Sequence, residues 1–151
     1  FTDPKSNSGM IVPSYWLAQR GETPDSFFDK HIYTYAHDAS IQAVMANLVD
    51  GATVESRIWD YLNNHNPEVS VKTRIIKRSE PFGTPPLVVR PDLPAERQKQ
   101  LSDILLNMHK NAAGRKILDE MEIKRFLPGK DSDYDTIRKM RDFIRKQPGA
   151  G

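Results

Sequence analysis

The stretch His31-Ile-Tyr-Thr-Tyr-Ala-His-Asp-Ala-Ser-Ile-Gln-Ala-Val-Met-Ala-Asn-Leu-Val-Asp-Gly-Ala-Thr-Val-Glu-Ser56 decides the fold class. Its opening segment His31–Tyr35 is rich in β-branched and aromatic residues and reads as a strand. Asp38 reads as the N-cap of a helix in which Ile41, Val44, Met45 and Leu48 recur at i, i+3, i+4 and i+7. Val49-Asp50-Gly51 then turns the chain into the short apolar run Ala52-Thr53-Val54. A second helix through Ile58, Trp59 and Leu62 follows, and Asn63-Asn64-His65-Asn66-Pro67 ends it. Strand, helix, strand, helix in this order predicts an α/β fold with a mainly parallel sheet flanked by helices.

Working outward toward the start, Phe1–Gly9 is a polar loop, with Phe1-Thr2 reading as the tail of a strand. A helix is expected from Met10 to Gln19, with Pro13 in its first turn and Gly21 just past its end. Thr23-Pro24-Asp25 opens a short helix through Phe28. In the other direction, Val71–Lys77 and Leu87–Arg90 read as strands, separated by the extended segment Ser79–Pro86. The rest is helical: Pro94–Lys110 with Leu101, Ile104, Leu105 and Met108 on one stripe, Ala112–Met121, and Asp133–Lys146. Gln147–Gly151 reads as a frayed tail. Tyr15, Trp16, Trp59 and Tyr61 sit at core-like helical spacing and read mostly as packing residues.

The whole chain has 151 residues, 38% hydrophobic and 28% charged, which is globular chemistry with enough apolar side chains for a core. No apolar run approaches the roughly 18–20 residues that a membrane span requires. There are no cysteines, which excludes disulfides, thiol catalysis and cysteine-ligated metals. The chain starts at Phe1 without methionine or a signal peptide and reads as a processed or excised segment. Charge is uneven: residues 1–75 carry 6 Lys/Arg against 9 Asp/Glu, and residues 76–151 carry 16 against 11. In the basic half the signs alternate, as in Asp135-Thr-Ile-Arg138-Lys-Met-Arg141-Asp142, which is the pattern of a solvated helix face; no nucleic-acid partner is expected.

Three junctions carry polar chemistry. Ser6-Asn7-Ser8-Gly9 precedes a helix, where unpaired N–H groups and serine hydroxyls grip a tetrahedral oxyanion or, equally, form an ordinary N-cap. His37-Asp38 follows a strand, and His37 offers a donor to an anion or stands as a solvent-exposed loop histidine. Glu55-Ser56 follows the next strand and reads as a ligand contact or another capping pair. Their shared position favours a site, because loops at the carboxyl ends of parallel strands converge on one crevice. There is no Gly-x-Gly-x-x-Gly and no Gly-Lys-Ser/Thr phosphate loop. The histidines have no partner at metal-ligand spacing, and Ser6, His37 and Asp50 lack a nucleophile-elbow context, so neither metal nor catalytic residues are assigned and no cofactor is expected.

Phe1-Thr-Asp-Pro-Lys-Ser-Asn-Ser-Gly-Met-Ile-Val-Pro13, Tyr35-Ala-His-Asp-Ala-Ser-Ile-Gln-Ala-Val44, Val49-Asp-Gly-Ala-Thr-Val-Glu-Ser56 and Pro85-Pro-Leu-Val-Val-Arg90 occur in this order. The set resembles the phosphate/phosphite/phosphonate substrate-binding proteins of ABC transporters, within the type 2 periplasmic-binding-protein fold, to about Tyr134. Members are about twice this length, so the chain looks like a second half. The resemblance implies a ligand-binding lobe over residues 1–78, then a hinge crossing and the C-terminal part of the other lobe over residues 79–151, an incomplete two-lobe architecture.

It also implies a ligand set of Ser6, Asn7, Ser8, His37 and Glu55, with asparagine where the family usually has threonine between the serines. The implied function is extracytoplasmic or periplasmic binding of a small phosphorus oxyanion (phosphonate, phosphite or phosphate) for an ABC permease. A sensor domain fused to a membrane-bound histidine kinase or cyclase is the alternative, with a membrane anchor in the full-length protein. An enzyme on the same fold would need a nucleophile or cofactor lysine, for which Lys5 is the only nearby residue. The aspartate that faces the ammonium group in aminophosphonate binders aligns with Pro85, which points to a ligand without an amine. Apolar surface left by the missing half implies self-association of the isolated chain.

Overall fold

The computed structural model describes residues 1–147; the tail expected at Gln147–Gly151 lies outside them except for Gln147. Phe1–Phe82, with the segment from Tyr134 on, form one compact unit, and Gly83–Asp133 form another. The structure is helical where the sequence reads helical. A π-helical turn at Asn7–Ile11 runs into α1 (Val12–Ala18), followed by α2 (Pro24–Phe27), α3 (His37–Met45), α4 (Ser56–His65) and α5 (Glu68–Lys72). The second unit holds α6 (Ala95–Asn107), a 3-10 turn (Met108–Lys110) and α7 (Ala112–Glu120). A 3-10 turn at Asp131–Tyr134 leads into α8 (Asp135–Arg145).

In the first unit, α1 packs against α2 and α8. Val12, Leu17 and Ala18 are buried on it, and α8 packs alongside with Met140 buried and Phe143 edge-on to Tyr15 at 5.2 Å between centroids. The division at 78/79 assigns α8 to the later segment; in the structure it packs with the first. On another side the Lys77 ammonium stands 4.1 Å over the Trp16 ring. Ile41 of α3 and Val69 of α5 are buried where those two helices pack with each other and with α4. Gly21 takes φ +75° just after α1, a conformation that costs glycine nothing. Thr23 and Ser26 form a reciprocal capping box on α2, each side chain accepting from the other's backbone N–H.

The four expected strands are not formed. The described residues contain no strand, so the parallel sheet is absent as a ladder. Only its register is visible, at one place: the Phe1 amino group donates to Ile32 O (2.9 Å), and Thr34 N–H donates to Phe1 O (3.1 Å). This alternation is that of a parallel pair; Tyr35, at φ +60°, breaks it, its N–H reaching the next carbonyl along, Thr2 O. With Phe1-Thr2 the pairing has two residues to use and stops. Ala52–Val54 is extended beside it without a ladder. Leu87–Arg90 takes no regular structure and leaves Val88 81% exposed, because no other segment of its unit pairs with it.

Three further expectations are corrected. Val71 lies in α5 rather than opening a strand. Asn66 Oδ1 accepts from Glu68 N–H, and the Glu68–Lys72 ion pair spans the turn, so local capping holds this stretch helical up to Thr73. Asp38 is not the N-cap of α3. Ala36 occupies that position in extended conformation with no side-chain bond, and Asp38 sits in the first turn, where its charge meets the positive helix end. Leu48 does not complete the α3 stripe: the helix stops at Met45, Asn47 turns left-handed at φ +55°, and Leu48 N–H returns to Ala43 O, leaving the side chain exposed.

The second unit is a helical hairpin whose corner is fixed by Gly114. A Cβ there would lie 2.1 Å from Met108 O, so only glycine lets α7 cross the 3-10 turn this closely. Asn111 Oδ1 caps the same residue's N–H at 2.7 Å. Leu118 is fully buried beneath the corner. The α6 stripe residues Leu101 and Ile104 instead line an open groove of about 440 Å³ with Arg90, Leu93, Pro94, Arg97 and Gln100.

Candidate anion-binding site

Pro13 shapes the first junction. It has no N–H to offer the carbonyl four residues back, so Gly9 O stays free of the helix ladder. Gly9 O instead accepts from Thr2 N–H (3.3 Å) and from the Thr53 hydroxyl (3.2 Å), which ties the helix start to both neighbouring extended segments. Ser6 O takes two N–H groups, from Met10 and Ile11, and this produces the π-helical turn. Such turns concentrate at functional sites.

Ser6 is the N-cap, and its Oγ accepts from Gly9 N–H at 3.0 Å. A hydroxyl that accepts one bond still has its own hydrogen to give. The capping and ligand readings of Ser6 are therefore compatible. The N–H groups of Asn7 and Ser8, and the Ser8 hydroxyl, have no acceptor among the described residues. Asn7 Oδ1 is buried there without a partner. The start of the helical run from Asn7 to Ala18 thus presents two backbone donors and two hydroxyl donors with no fixed cation.

The second and third junctions are joined through His37. Its Nδ1 accepts from Glu55 N–H at 3.1 Å. Thr2 Oγ1 also lies 3.3 Å from Nδ1, but the Thr2 hydroxyl donates to Thr53 O at 3.0 Å. The backbone N–H therefore sets the tautomer: Nδ1 is the acceptor and the ring hydrogen is on Nε2. Sequence reasoning missed Thr2, which is only 3% exposed yet touches all three junctions. A buried threonine in an expected strand gives little signal, since threonine is a common strand residue.

Glu55 joins the site through its backbone. Its carboxylate is held by Arg57, whose Nε donates to Oε1 at 2.7 Å with a second, shorter bond from Nη2. It makes no side-chain cap on α4, so the capping-pair reading of Glu55 fails. Arg57 was not singled out from the sequence; a cation two residues after the acidic position was the available signal. On the segment before His37, the Tyr33 phenol is pushed above its ordinary pKa by burial, then by Asp25, Tyr35 and Asp3. Its hydroxyl hydrogen is directed to Met10 Sδ.

The structure therefore brings Ser6, Asn7, Ser8 and the His37 ring onto one hydrogen-bonded frame, with Gly9, Thr2 and Thr53 as its joints.

Comparison with known proteins points the same way. The model of a family described as "ABC transporter, phosphonate, periplasmic substrate-binding protein" matches residues 1–134. A "Phosphonates-binding periplasmic protein" of Escherichia coli (strain K12) is 26% identical over 145 residues, covering 96% of this chain and 43% of that protein. A "Probable ABC transporter phosphite binding protein" of Prochlorococcus marinus (strain MIT 9301) is 25% identical over 152 residues, covering 97% of this chain and 51% of that protein. The chain spans about half the length of these curated relatives.

Proposed function

The chain belongs to the phosphonate periplasmic substrate-binding protein family of ABC transporters, and from that membership we propose that it supplies the anion grip of an uptake protein for a small phosphorus oxyanion without an amine. The family is one of transport proteins, not of enzymes. The observation that carries the reading is the pair of unused N–H groups at Asn7 and Ser8, with the Ser6 hydroxyl capping the same turn and a tautomer-fixed histidine on the same frame. Neutral donors suit a desolvated oxyanion that must be released again: each charge-assisted bond contributes about 1.5–3 kcal/mol without burying a counter-charge. The buried Asn7 Oδ1 accepts from the hydroxyl of a protonated oxyanion. In the complete protein, residues 1–78 serve as the extracytoplasmic lobe that holds the anion, closure of a second lobe buries it, and an ABC permease in the membrane reads the closed form.

The ligand class follows from two positions. Pro85 stands where the resemblance places the carboxylate that meets an ammonium group, and Glu55 is engaged by Arg57. An exposed pair of this kind is worth at most about 1 kcal/mol, so Pro85 carries the larger share. Burying an ammonium without a partner costs several kcal/mol. In the complete protein that carries this segment, methylphosphonate should therefore outcompete 2-aminoethylphosphonate at least about tenfold at neutral pH in a displacement titration. A preference for the aminated ligand overturns this ligand assignment and makes Glu55 its ammonium partner.

A further inference from the structure

Tyr35 is a bulky aromatic residue held at φ +60°. Two other non-glycine residues share a positive φ, Asn47 and Glu122, and each follows the end of a helix, where a left-handed residue closes the last turn. Tyr35 precedes a helix and closes nothing. Its backbone is pinned from both sides. Tyr35 N–H donates to Thr2 O at 2.6 Å, while the Thr34 hydroxyl donates to Ala36 O at 2.9 Å and shares a 2.6 Å bond with Ser40 Oγ. Strain in a residue of this size persists only where neighbours over-determine it, and such residues cluster at ligand clamps.

The ring gains little from the protein. It is 70% exposed and meets the Tyr33 ring at a centroid distance of 6.2 Å. Its place is the end of the extended segment that pairs with Phe1-Thr2, two residues before His37 and beside the chain that leads into Ser6–Ser8. This is the carboxyl-end rim, where ligands of parallel α/β proteins bind.

Resting on the reading that this site takes a small phosphorus oxyanion, we propose that Tyr35 is a specificity-determining residue whose ring packs on the ligand's non-oxygen substituent. The oxygens are met by the donors of Ser6, Asn7, Ser8 and His37; the remaining group on phosphorus, a hydrogen or a methyl, needs an apolar wall. An aromatic ring provides one and offers nothing comparable to a fourth oxygen.

The test uses the complete protein, with Tyr35→Gly, Tyr35→Asn and Tyr35→Phe titrated calorimetrically against methylphosphonate and inorganic phosphate. Glycine and asparagine tolerate the left-handed conformation, so both variants should melt about 2–4 °C higher without ligand. Both should lower the affinity ratio of methylphosphonate to phosphate roughly fourfold, the value of one buried methyl group. Tyr35→Phe keeps the ring and should leave the ratio unchanged. An unchanged ratio in the glycine and asparagine variants, with both anions still bound, overturns the role of Tyr35 and leaves the oxyanion reading standing. Failure of the unsubstituted protein to bind either anion overturns that reading, and the role of Tyr35 with it.

Discussion

Gly9→Ala should lower the melting temperature by roughly 4–10 °C and weaken anion binding more than tenfold in the complete protein. A Cβ at Gly9 would stand 2.5 Å from both Cβ and Oγ1 of Thr2 and 3.0 Å from Ser6 Oγ. Thr2 is buried and β-branched, so it has no free rotamer into which to withdraw. The helix start must move instead. That movement breaks the Thr2 and Thr53 bonds to Gly9 O and takes the donors of Ser6–Ser8 with it. Thermal unfolding followed by circular dichroism reads the first effect and calorimetry the second. A variant with unchanged melting and affinity would show that the joint at Gly9 is not what positions the site.

The second large effect separates the two serines. Removing both hydroxyls by Ser6→Ala with Ser8→Ala should cost about a hundredfold or more in affinity, because each lost bond faces a charged ligand. The single variants should differ in stability. The Ser8 hydroxyl has no protein partner among the described residues, so Ser8→Ala should weaken binding while the apo melting temperature stays put. Ser6 also caps the helix through Gly9 N–H, so Ser6→Ala should in addition destabilise the apo protein by about 0.5–2 kcal/mol. Unchanged affinity in the double variant would reduce both serines to local structure.

How much of this was legible in the sequence depends on how local each determinant is. The helices, the Pro13 start, the Gly21 stop and the Thr23 cap follow from neighbours a few residues apart, and the structure has them. The sheet does not form because a strand needs a partner. His31–Tyr35 finds two residues at Phe1-Thr2 to pair with, and Leu87–Arg90 finds none in its unit. Val71 shows the converse: without a sheet to hold it, a β-branched residue goes with the cap at Asn66 and the Glu68–Lys72 pair.

At the site, the serine turn and His37 were readable because their chemistry is specific, and the ordered motifs pointed to the family that the match over residues 1–134 shows. Thr2 and Thr53 were not, since their role is created by distances across 35 to 51 positions of chain. Nor was the turn of the partly buried Glu55 carboxylate to Arg57, one of several pairings the sequence leaves open to it. The left-handed backbone of Tyr35 is likewise invisible to pattern reading, because tyrosine in a strand-like run predicts the opposite conformation.

The central claim is that His37 presents an N–H on Nε2 to a phosphorus oxyanion while its Nδ1 is held by the Glu55 backbone. Nitrogen-15 NMR of the His37 imidazole in the complete protein, before and after saturation with methylphosphonate, tests it most directly. The account predicts the hydrogen on Nε2 in the free protein, with that N–H shifted and protected from exchange when methylphosphonate is bound and Nδ1 still accepting. A hydrogen on Nδ1, or an Nε2–H signal that does not move at saturating methylphosphonate, would contradict it.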